Sequence, residues 1–283
     1  MTQLITKTNE LLKIRHELKL TPEDSIGFVP TMGNLHQGHL SLIEESLQKN
    51  SLTFVSIFVN PKQFAPHEDF NKYPRTLESD LALINSLNSK KPIYVYAPAT
   101  PLEVFPENYL TQIYVRELTQ KLCGKTRPTH FEGVTTVVYR LFSLIRPHNS
   151  YFGLKDYQQY LVIQKMVNDL NLPINVFGLP IVREASGLAL SSRNSFLSSE
   201  GKAAALTLAQ LLHKVTALLK KGSFNEALQL AKITCENDKY WDYLEILEAD
   251  TLNTPTLQTK KFVIAGAYYV EKTRLIDNQL LTL

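Results

Sequence analysis

Residues 28–42 read Phe-Val-Pro-Thr-Met-Gly-Asn-Leu-His-Gln-Gly-His-Leu-Ser-Leu, and this stretch decides the fold. The β-prone run at 26–29 predicts a short buried strand. Downstream, Leu40, Ile43 and Leu47 recur at helical spacing and predict an amphipathic helix. A strand that leads through a glycine-containing turn into a helix brings backbone N–H groups to the positive end of the helix dipole. The stretch therefore predicts a phosphate-binding turn.

Two histidines, His36 and His39, stand three residues apart at the start of the predicted helix and would share one face of it. Neutral imidazoles donate hydrogen bonds to phosphoryl oxygens, and protonated imidazoles stabilise charge that builds up there. Capping or packing histidines are the structural alternative. A zinc site needs a third ligand, and no Cys-x-x-Cys or His-Glu-x-x-His motif accompanies the pair.

Composition places the chain among ordinary globular enzymes, with 283 residues of which 44% are hydrophobic and 20% charged. A formal net charge of +3 is too small to argue for a nucleic-acid partner. The two cysteines, Cys123 and Cys235, are expected to be free thiols in a reducing compartment. Residues 1–20 mix charged and apolar side chains, unlike a signal peptide, and no apolar run approaches membrane-spanning length. We expect a cytoplasmic protein without membrane segments.

The run at 53–59 is almost continuously apolar, which is typical of a central parallel strand covered on both faces. With the preceding strand and helix, it predicts a right-handed βαβ unit. Further strands are predicted at 92–97 and 174–177, and an amphipathic helix at 7–19. This alternation predicts an α/β fold with a doubly wound parallel sheet.

A second, smaller α+β domain is predicted beyond residue 180. After Asn194, Ala- and Leu-rich helical patterns replace the strand–helix alternation of the first part of the chain. We therefore assign residues 1–180 to the first domain and residues 181–283 to the second. Within the second domain the predicted elements are helices at 200–221 and 224–235 and strands at 243–248, 262–270 and 273–277.

Polar side chains follow several predicted strands, at the edge where ligands bind in open α/β sheets. Asn60 and Gln63 come just after the strand at 53–59. Lys155 is predicted at a strand-to-helix corner, which suits a cation that meets phosphate. The segment 191–193, Ser-Ser-Arg, offers two hydroxyls and a guanidinium fork to a polyphosphate, although a domain-linking loop is an equal alternative.

Asp80 lies in the first turn of a helix that the sequence predicts to begin after Thr76. Acidic residues favour helix N-termini, so this position needs no ligand to explain it. A carboxylate there could also hold Mg²⁺ if phosphates lie nearby.

Gly124, Lys125 and Thr126 form a tempting but incomplete P-loop. The glycine that the P-loop pattern requires five residues earlier is Thr119. We instead interpret Lys125, with Arg127 and His130 nearby, as candidates for the rim of a ligand pocket.

These motifs contain no obvious nucleophile, because both cysteines lie outside them and no Gly-x-Ser-x-Gly occurs. A site rich in phosphate-facing donors but without a nucleophile suits phosphoryl-group chemistry that depends on positioning and electrostatics. Attack by a carboxylate on the α-phosphate of ATP is such a reaction.

The ordered motifs of this chain resemble those of the pantoate–β-alanine ligase (pantothenate synthetase) family. This family belongs to the nucleotidyltransferase superfamily with the H-x-G-H signature, which also contains class I aminoacyl-tRNA synthetases. The resemblance covers essentially the whole chain and rests on Pro30–His39, Phe58–Phe64, Tyr73–Thr76, His130–Val134, Gly153–Gln159 and Arg183–Asn194.

The resemblance implies a ligase that condenses (R)-pantoate with β-alanine to pantothenate, a precursor of coenzyme A. The reaction would consume ATP with Mg²⁺ and pass through a pantoyl adenylate, releasing AMP and diphosphate. It also implies a homodimer formed through a Rossmann-like first domain, and a second domain that acts as a lid.

The resemblance further implies roles for individual residues. His39 would be the catalytic proton donor, with His36 and Lys155 on the phosphates. Gln63 and Gln159 would bind pantoate, Gln63 would also lie near the β-alanine site, and Asp80 is the candidate metal ligand. The implied ATP-binding residues are Met32, Gly33, Asn34, Leu35, His36, Gln37, Gly38, His39, Gly153, Leu154, Lys155, Asp156, Val182, Leu190, Ser191, Ser192 and Arg193.

Three positions depart from the family pattern. Leu154 replaces a usual glutamate, Ser186 a common aspartate, and Ser79 an aspartate that can occur in the acidic helix start. Two alternative functions stay open at this point. One is an adenylyl- or cytidylyltransferase with another acceptor, against which Gln63 and Gln159 argue. The other is a non-catalytic nucleotide-binding regulator.

Overall fold

The computed structural model describes residues 2–65, 68 and 70–283. Its backbone contacts divide the chain into two compact units. The first comprises Met1–Thr119, Arg127–Leu154 and Gln159–Pro180, and the second comprises Gln120–Thr126, Lys155–Gln158 and Ile181–Leu283.

A parallel sheet in the order β1-β4-β3-β2-β5-β6 forms the centre of the first unit. Neighbouring strands pair in parallel throughout this sheet. Its strands are β1 (Thr2–Ile5), β2 (Ile26–Thr31), β3 (Leu52–Ile57), β4 (Ile93–Tyr96), β5 (Asn149–Gly153) and β6 (Asn175–Leu179).

Helices connect these strands, as parallel pairing requires. The helices of the described chain are α1 (Thr8–Glu17), α2 (Gln37–Lys49), α3 (Leu77–Asn85), α4 (Pro101–Val104), α5 (Cys123–Thr126), α6 (His130–Ile145), α7 (Tyr157–Asp169), α8 (Ser199–Lys220) and α9 (Phe224–Asn237). None of the helices in the described residues is long and apolar enough to cross a membrane.

The helical periodicity after the histidines has the predicted consequence. Leu40, Ile43 and Leu47 of α2 are buried in one cluster with Val29 of β2 and Val55 of β3. Full burial of such side chains contributes about 1.5–3 kcal/mol each, so this stripe fixes α2 against the sheet.

The position of β2 explains why the histidine turn sits at a ligand-binding edge. From β2 the chain adds β3 and β4 on one side of the sheet and later β5 and β6 on the other. The strand order therefore reverses between β2 and β5. In open α/β sheets, ligands bind outside the carboxyl ends of the strands at such a switch point.

The second unit contains an antiparallel sheet in the order β7-β8-β9, formed by Trp241–Glu248, Lys261–Val270 and Thr273–Thr282. Helices α8 and α9 pack on this sheet through one apolar core, in which Leu212 and Ile264 are fully buried. The predicted fold class, a doubly wound parallel sheet with a smaller α+β part, is confirmed.

The predicted elements correspond to observed ones with shifts of a few residues at their ends, but the short helices α4 and α5 were predicted as loops and β1 was missed. This strand is four residues long and pairs with β4 at the edge of the sheet. Its pattern is too short to show the periodicity on which a strand prediction depends.

Two short segments from the first 180 residues, Gln120–Thr126 and Lys155–Gln158, group with the second unit. The side chain of Gln158 joins them, because its Oε1 accepts from the N–H of Cys123 at 3.1 Å and its Nε2 donates to the carbonyl of Lys121 at 2.6 Å. The predicted boundary at residue 180 therefore differs from the observed grouping in these two segments, and Lys155 belongs to the second unit.

Candidate active site

The histidine pair caps the N-terminus of α2. His36 is the N-cap residue, so it precedes the first turn rather than lying in it as predicted. Its Nδ1 accepts from the N–H of Gly38 at 3.1 Å, and its own N–H donates to Nδ1 of His39 at 3.3 Å. The two rings nevertheless meet, with centroids 4.1 Å apart.

These contacts assign the tautomers of both rings. A ring nitrogen that accepts a hydrogen bond carries no proton, so each neutral imidazole has its proton on Nε2. His36 and His39 therefore present two N–H donors at the positive end of the α2 dipole. Two N–H donors at a helix N-terminus suit a phosphate, which stays a prediction for this site.

Hydrogen bonds to Asp80 hold the end of the turn that precedes the histidine pair. The carboxylate of Asp80 accepts from the N–H groups of Leu35 at 2.8 Å and Asn34 at 3.0 Å, and from the hydroxyl of Thr76 at 3.2 Å. Asp80 is 2% exposed. The predicted metal candidate thus lies beside the histidine turn, with both carboxylate oxygens engaged by protein donors.

Gln63 lies next to the same turn. Its Nε2 donates to Sδ of Met32 at 2.9 Å, and its Oε1 accepts from Nδ2 of Asn60 at 3.2 Å. Its main-chain carbonyl accepts from Nδ1 of His130 at 2.9 Å and from the guanidinium of Arg127 at 3.3 Å. The first unit therefore brings the predicted pantoate residue to the predicted ATP turn.

Arg127 also forms a two-pronged ion pair with Glu68, with N–O distances of 2.6 and 2.7 Å. Burial acts to raise the pKa of Glu68, but the hydrogen bonds and charge of Arg127 outweigh it and the pKa is lowered. A lowered pKa means that the carboxylate stabilises the fold above its ordinary pKa and loses this effect as the pH falls. Of the predicted rim candidates, Arg127 and His130 thus support Gln63, whereas Lys125 pairs with Glu245 at 2.7 Å.

Helix α6 packs closely, at Gly133, against the backbone of Lys62 and Gln63. A Cβ at Gly133 would lie 2.3 Å from the carbonyl oxygen of Lys62 and 2.6 Å from the nitrogen of Gln63. Only glycine therefore allows α6 to pack on the backbone that carries Gln63.

We expect Gly133→Ala to lower the free energy of unfolding by about 1–3 kcal/mol, because the methyl group forces the backbone apart. The change is measured as a shift of the denaturant midpoint. Gly153→Ala is the matched control for stability, since a Cβ there meets no atom within 4 Å. Equal midpoints for the two variants would contradict the packing argument.

In the second unit, Lys155 lies in a short 3₁₀ turn, Leu154–Asp156, between β5 and α7. This is the strand-to-helix corner that the sequence predicts. Its ammonium lies 3.8 Å from the carboxylate of Asp156, and its carbonyl accepts from the side chain of Asn278 at 2.9 Å. Lys155 also lines a small cavity together with Ser191, Asn194 and Asp277.

The predicted nucleotide loop is a narrow hairpin. The N–H of Leu190 donates to the carbonyl of Val182 at 2.9 Å, and Arg183 forms a β-bridge with Ala189. Ser191 then caps a 3₁₀ turn by accepting from the N–H of Arg193 at 3.3 Å. The second unit therefore gathers Lys155, Val182 and the segment 190–193.

An ion pair anchors this hairpin to β9. Both Nη atoms of Arg183 donate to the carboxylate of Asp277, at 2.6 and 2.9 Å. The Asp277 side chain is 3% exposed and that of Arg183 is 28% exposed. Sequence reasoning missed Asp277, because nothing in the local pattern of β9 indicates a partner 94 residues away.

We expect Arg183→Met to destabilise the second unit by about 3 kcal/mol, because it leaves a buried carboxylate without its counter-charge. Denaturant unfolding followed by the fluorescence of Trp241 would measure the loss. The double variant Arg183→Met, Asp277→Asn removes the buried charge as well and should recover part of the lost stability. A single variant as stable as the parent would contradict this account.

The remaining predicted residues lie where the sequence placed them locally. Gly153 ends β5, and Gln159 is half-buried near the start of α7 in the first unit. Among the described residues, no group of three or more His, Cys, Asp or Glu side chains could hold a metal ion. Cys123 is buried and Cys235 is half-buried, and neither forms a disulfide within the described part of the chain.

Comparison with known proteins gives a consistent result. A family model described as pantoate–β-alanine ligase matches residues 3–280. A pantothenate synthetase of Moorella thermoacetica is 48% identical over 261 residues, covering 91% of each chain. A pantothenate synthetase of Thermosipho africanus is 41% identical and covers 99% of this chain and all of its own.

Solved structures agree with the sequence relatives. A crystal structure of the Thermus thermophilus pantothenate synthetase superposes with a TM-score of 0.88 at 41% identity and 99% coverage of both chains. The pantoate–β-alanine ligase of Francisella tularensis, in complex with β-γ ATP and β-alanine, superposes with a TM-score of 0.73 at 31% identity, covering 99% of this chain and 98% of its own. The resemblance inferred from the ordered motifs is confirmed: the chain belongs to the pantoate–β-alanine ligase family.

Proposed function

We propose that this chain joins pantoate to β-alanine in two steps, with ATP as the activating substrate. In the first step, a carboxylate oxygen of pantoate attacks the α-phosphorus of ATP, and diphosphate leaves with the electron pair of the broken P–O bond. In the second step, the amine of β-alanine attacks the acyl carbon of pantoyl adenylate, loses a proton and displaces AMP. Family membership and the ATP and β-alanine in the Francisella tularensis complex support this proposal.

The observation that carries the proposal is the geometry of the histidine pair. Two imidazoles with centroids 4.1 Å apart stand at the N-terminus of a 13-residue helix, beyond the carboxyl end of β2. Negative charge develops on the α-phosphoryl oxygens and on the leaving diphosphate during the first step. Donors and a helix dipole fixed beforehand at this position stabilise that charge without reorganisation.

His39 is assigned as the proton donor, and His36 as a phosphate contact beside it. The turn and first helical residues, 32–39, bind ATP in this proposal. The Nε2–H groups of the pair act as hydrogen-bond donors when neutral, and a protonated ring adds a positive charge.

In the second unit, we assign Lys155 and the segment 191–193 to the phosphates of ATP. The ammonium of Lys155, the guanidinium of Arg193 and the hydroxyls of Ser191 and Ser192 form a donor set that suits a polyphosphate. The remaining nucleotide-binding residues in the proposal are Gly153, Leu154, Asp156, Val182 and Leu190.

Pantoate is assigned to Gln63 and Gln159, and β-alanine to Gln63. The side-chain amide of Gln63 offers one donor and one acceptor, which suits a hydroxy acid. Its contact with Met32 sets it beside the ATP turn in the first unit. The carbonyl contacts from Arg127 and His130 hold its backbone in place.

Mg²⁺ is assigned to the substrate, not to a protein site. The described side chains do not fit a dedicated magnesium site, because Asp80 is buried with both oxygens engaged and no acidic cluster accompanies it. Mg²⁺ often binds through substrate phosphates and its own waters. We further propose that the protein forms a homodimer, that residues 181–283 act as a lid, and that the protein is cytoplasmic.

Pyrophosphate exchange into ATP tests the proposed reaction. The assay contains Mg²⁺ and is run with and without pantoate, leaving β-alanine out. Exchange only in the presence of pantoate is expected, because the reverse of the first step requires pantoyl adenylate. Exchange with another acid would indicate a different acceptor, and no exchange despite ATP binding would indicate a regulator.

A further inference from the structure

We propose that Asp80 is a positioning residue for the histidine pair and not a ligand of Mg²⁺. This inference rests on the proposed function, since it gives Asp80 a role in the adenylation step. Asp80 acts through the turn at residues 33–35, which leads directly into the His36 cap. It does not touch the reacting atoms.

The contacts of Asp80 converge on this turn. Oδ1 accepts from the N–H of Leu35 at 2.8 Å, and Oδ2 accepts from the N–H of Asn34 at 3.0 Å. The hydroxyl of Thr76 donates to the same Oδ2 at 3.2 Å and also accepts from the N–H of Asn34 at 3.1 Å. Hydrogen bonds to an ionised carboxylate are shorter and stronger than neutral ones, so this residue holds the turn firmly.

The backbone of the turn needs such a partner. Gly33 and Asn34 both have positive φ, at 81° and 50°, and the N–H groups of Asn34 and Leu35 both donate to Asp80. A Cβ at Gly33 would approach Oδ2 of Asp80 to 3.0 Å, so the carboxylate sits directly against the turn. Successive backbone N–H groups in a turn can form a concave site for an anion, called a nest. Here the anion is the side chain of Asp80, supplied by the first turn of α3.

The location of the turn links this nest to catalysis. Leu35 immediately precedes His36, whose N–H and ring make the contacts that orient both imidazoles. A shift of the turn therefore moves the N-cap and its ring, while His39 stays on α2. The start of the turn is held separately, since the hydroxyl of Thr31 accepts from the N–H of Gly33 at 3.2 Å.

The same contacts argue against a metal role. Mg²⁺ requires near-ideal octahedral geometry and usually retains several waters. Asp80 is 2% exposed, and each of its oxygens already accepts from the protein. A hydrated ion would have to displace the N–H groups that hold the turn.

Asp80→Asn distinguishes a positioning role from a metal-binding role. The amide keeps the size of the side chain but turns an NH₂ group toward N–H donors. Glu78→Gln is the matched control: it removes an acidic charge from the first turn of the same helix, at an exposed position. Four quantities are measured on each protein: the kcat of the complete reaction, the KM for β-alanine, the Mg²⁺ concentration for half-maximal rate, and amide hydrogen exchange at residues 34 and 35 without ligands.

We expect Asp80→Asn to lower kcat by about 10–100-fold, as is typical when a supporting contact behind a functional group is lost. Amide exchange at residues 34 and 35 should become faster, while the half-maximal Mg²⁺ concentration and the KM for β-alanine stay within about twofold. Glu78→Gln should match the parent protein in all four quantities. A many-fold higher requirement for Mg²⁺ with unchanged amide exchange would overturn the proposal, as would an unchanged kcat.

A second variant, Thr76→Val, and a readout that does not depend on turnover complete the test. If Asp80→Asn does not fold, Thr76→Val removes one donor from the carboxylate and should accelerate exchange of the Asn34 amide with a smaller loss of kcat. Unchanged exchange and kcat in that variant would then overturn the proposal. If instead the parent protein shows no turnover with pantoate and β-alanine, the proposed function has failed, and the exchange data still report whether Asp80 holds the turn.

Discussion

His39→Ala is expected to lower the rate of pantoyl-adenylate formation by about 10²–10⁴-fold, the range that a positioned proton donor contributes. The dissociation constant for ATP should change far less. The reason is that the imidazole interacts with charge that develops only as the α-phosphorus is attacked. Pyrophosphate exchange gives the rate, and equilibrium binding of ATP gives the affinity.

His213→Ala is the matched control for this variant. His213 is an exposed histidine of α8 in the second unit, and its loss should leave both quantities unchanged. Equal losses of rate and of ATP affinity in His39→Ala would reassign the residue to ground-state binding. A second comparison, His36→Ala, should show a partial loss of rate because it also removes the N-cap contact to Gly38.

Lys155→Ala is expected to lower the same rate by about 10²–10³-fold, which is typical when one donor to a developing charge is removed. The ammonium lies 3.8 Å from the carboxylate of Asp156, and its side chain is 18% exposed. A cation in this partly enclosed position interacts more strongly with phosphate than one surrounded by water. Single-turnover measurement of adenylate formation is the direct readout.

Lys165→Ala serves as the control, because Lys165 lies on α7 with its side chain 53% exposed and pairs with Asp169 on the same helix. It should retain the parent rate. Lys155→Arg adds a further comparison, since arginine keeps the charge but changes its shape. A parent-like rate in Lys155→Ala would remove this lysine from the proposed site.

The histidine turn illustrates how far local pattern alone can go. The strand at 26–31, the glycine turn and helix α2 all follow from hydrophobic spacing and turn residues. The pairing of the two imidazoles also follows, because a spacing of three residues at a helix start brings side chains together. Capping was weighed only as an alternative for the pair, and the sequence did not single out His36 as the N-cap, since the first residue of a helix depends on details of backbone geometry.

Asp80 shows where the local pattern was insufficient. Its place in an acidic first helical turn was predicted, and the metal role was suggested by analogy with phosphate sites. The tertiary structure instead places its carboxylate against N–H groups 45 and 46 residues earlier in the chain. The position of a helix N-terminus relative to a distant turn depends on how both pack on the sheet, which no local periodicity encodes.

Taken alone, the sequence determined the α/β class, the strand–turn–helix around the two histidines, the polar residues at strand ends and, through its ordered motifs, the family. These features depend on residues close together in the chain or on their order along it. Only the tertiary structure decided that Asp80 supports the histidine turn, that Gln63 contacts Met32 and that Arg183 pairs with Asp277. Each of these contacts joins residues 31 to 94 positions apart, and their distances are set by sheet order and packing.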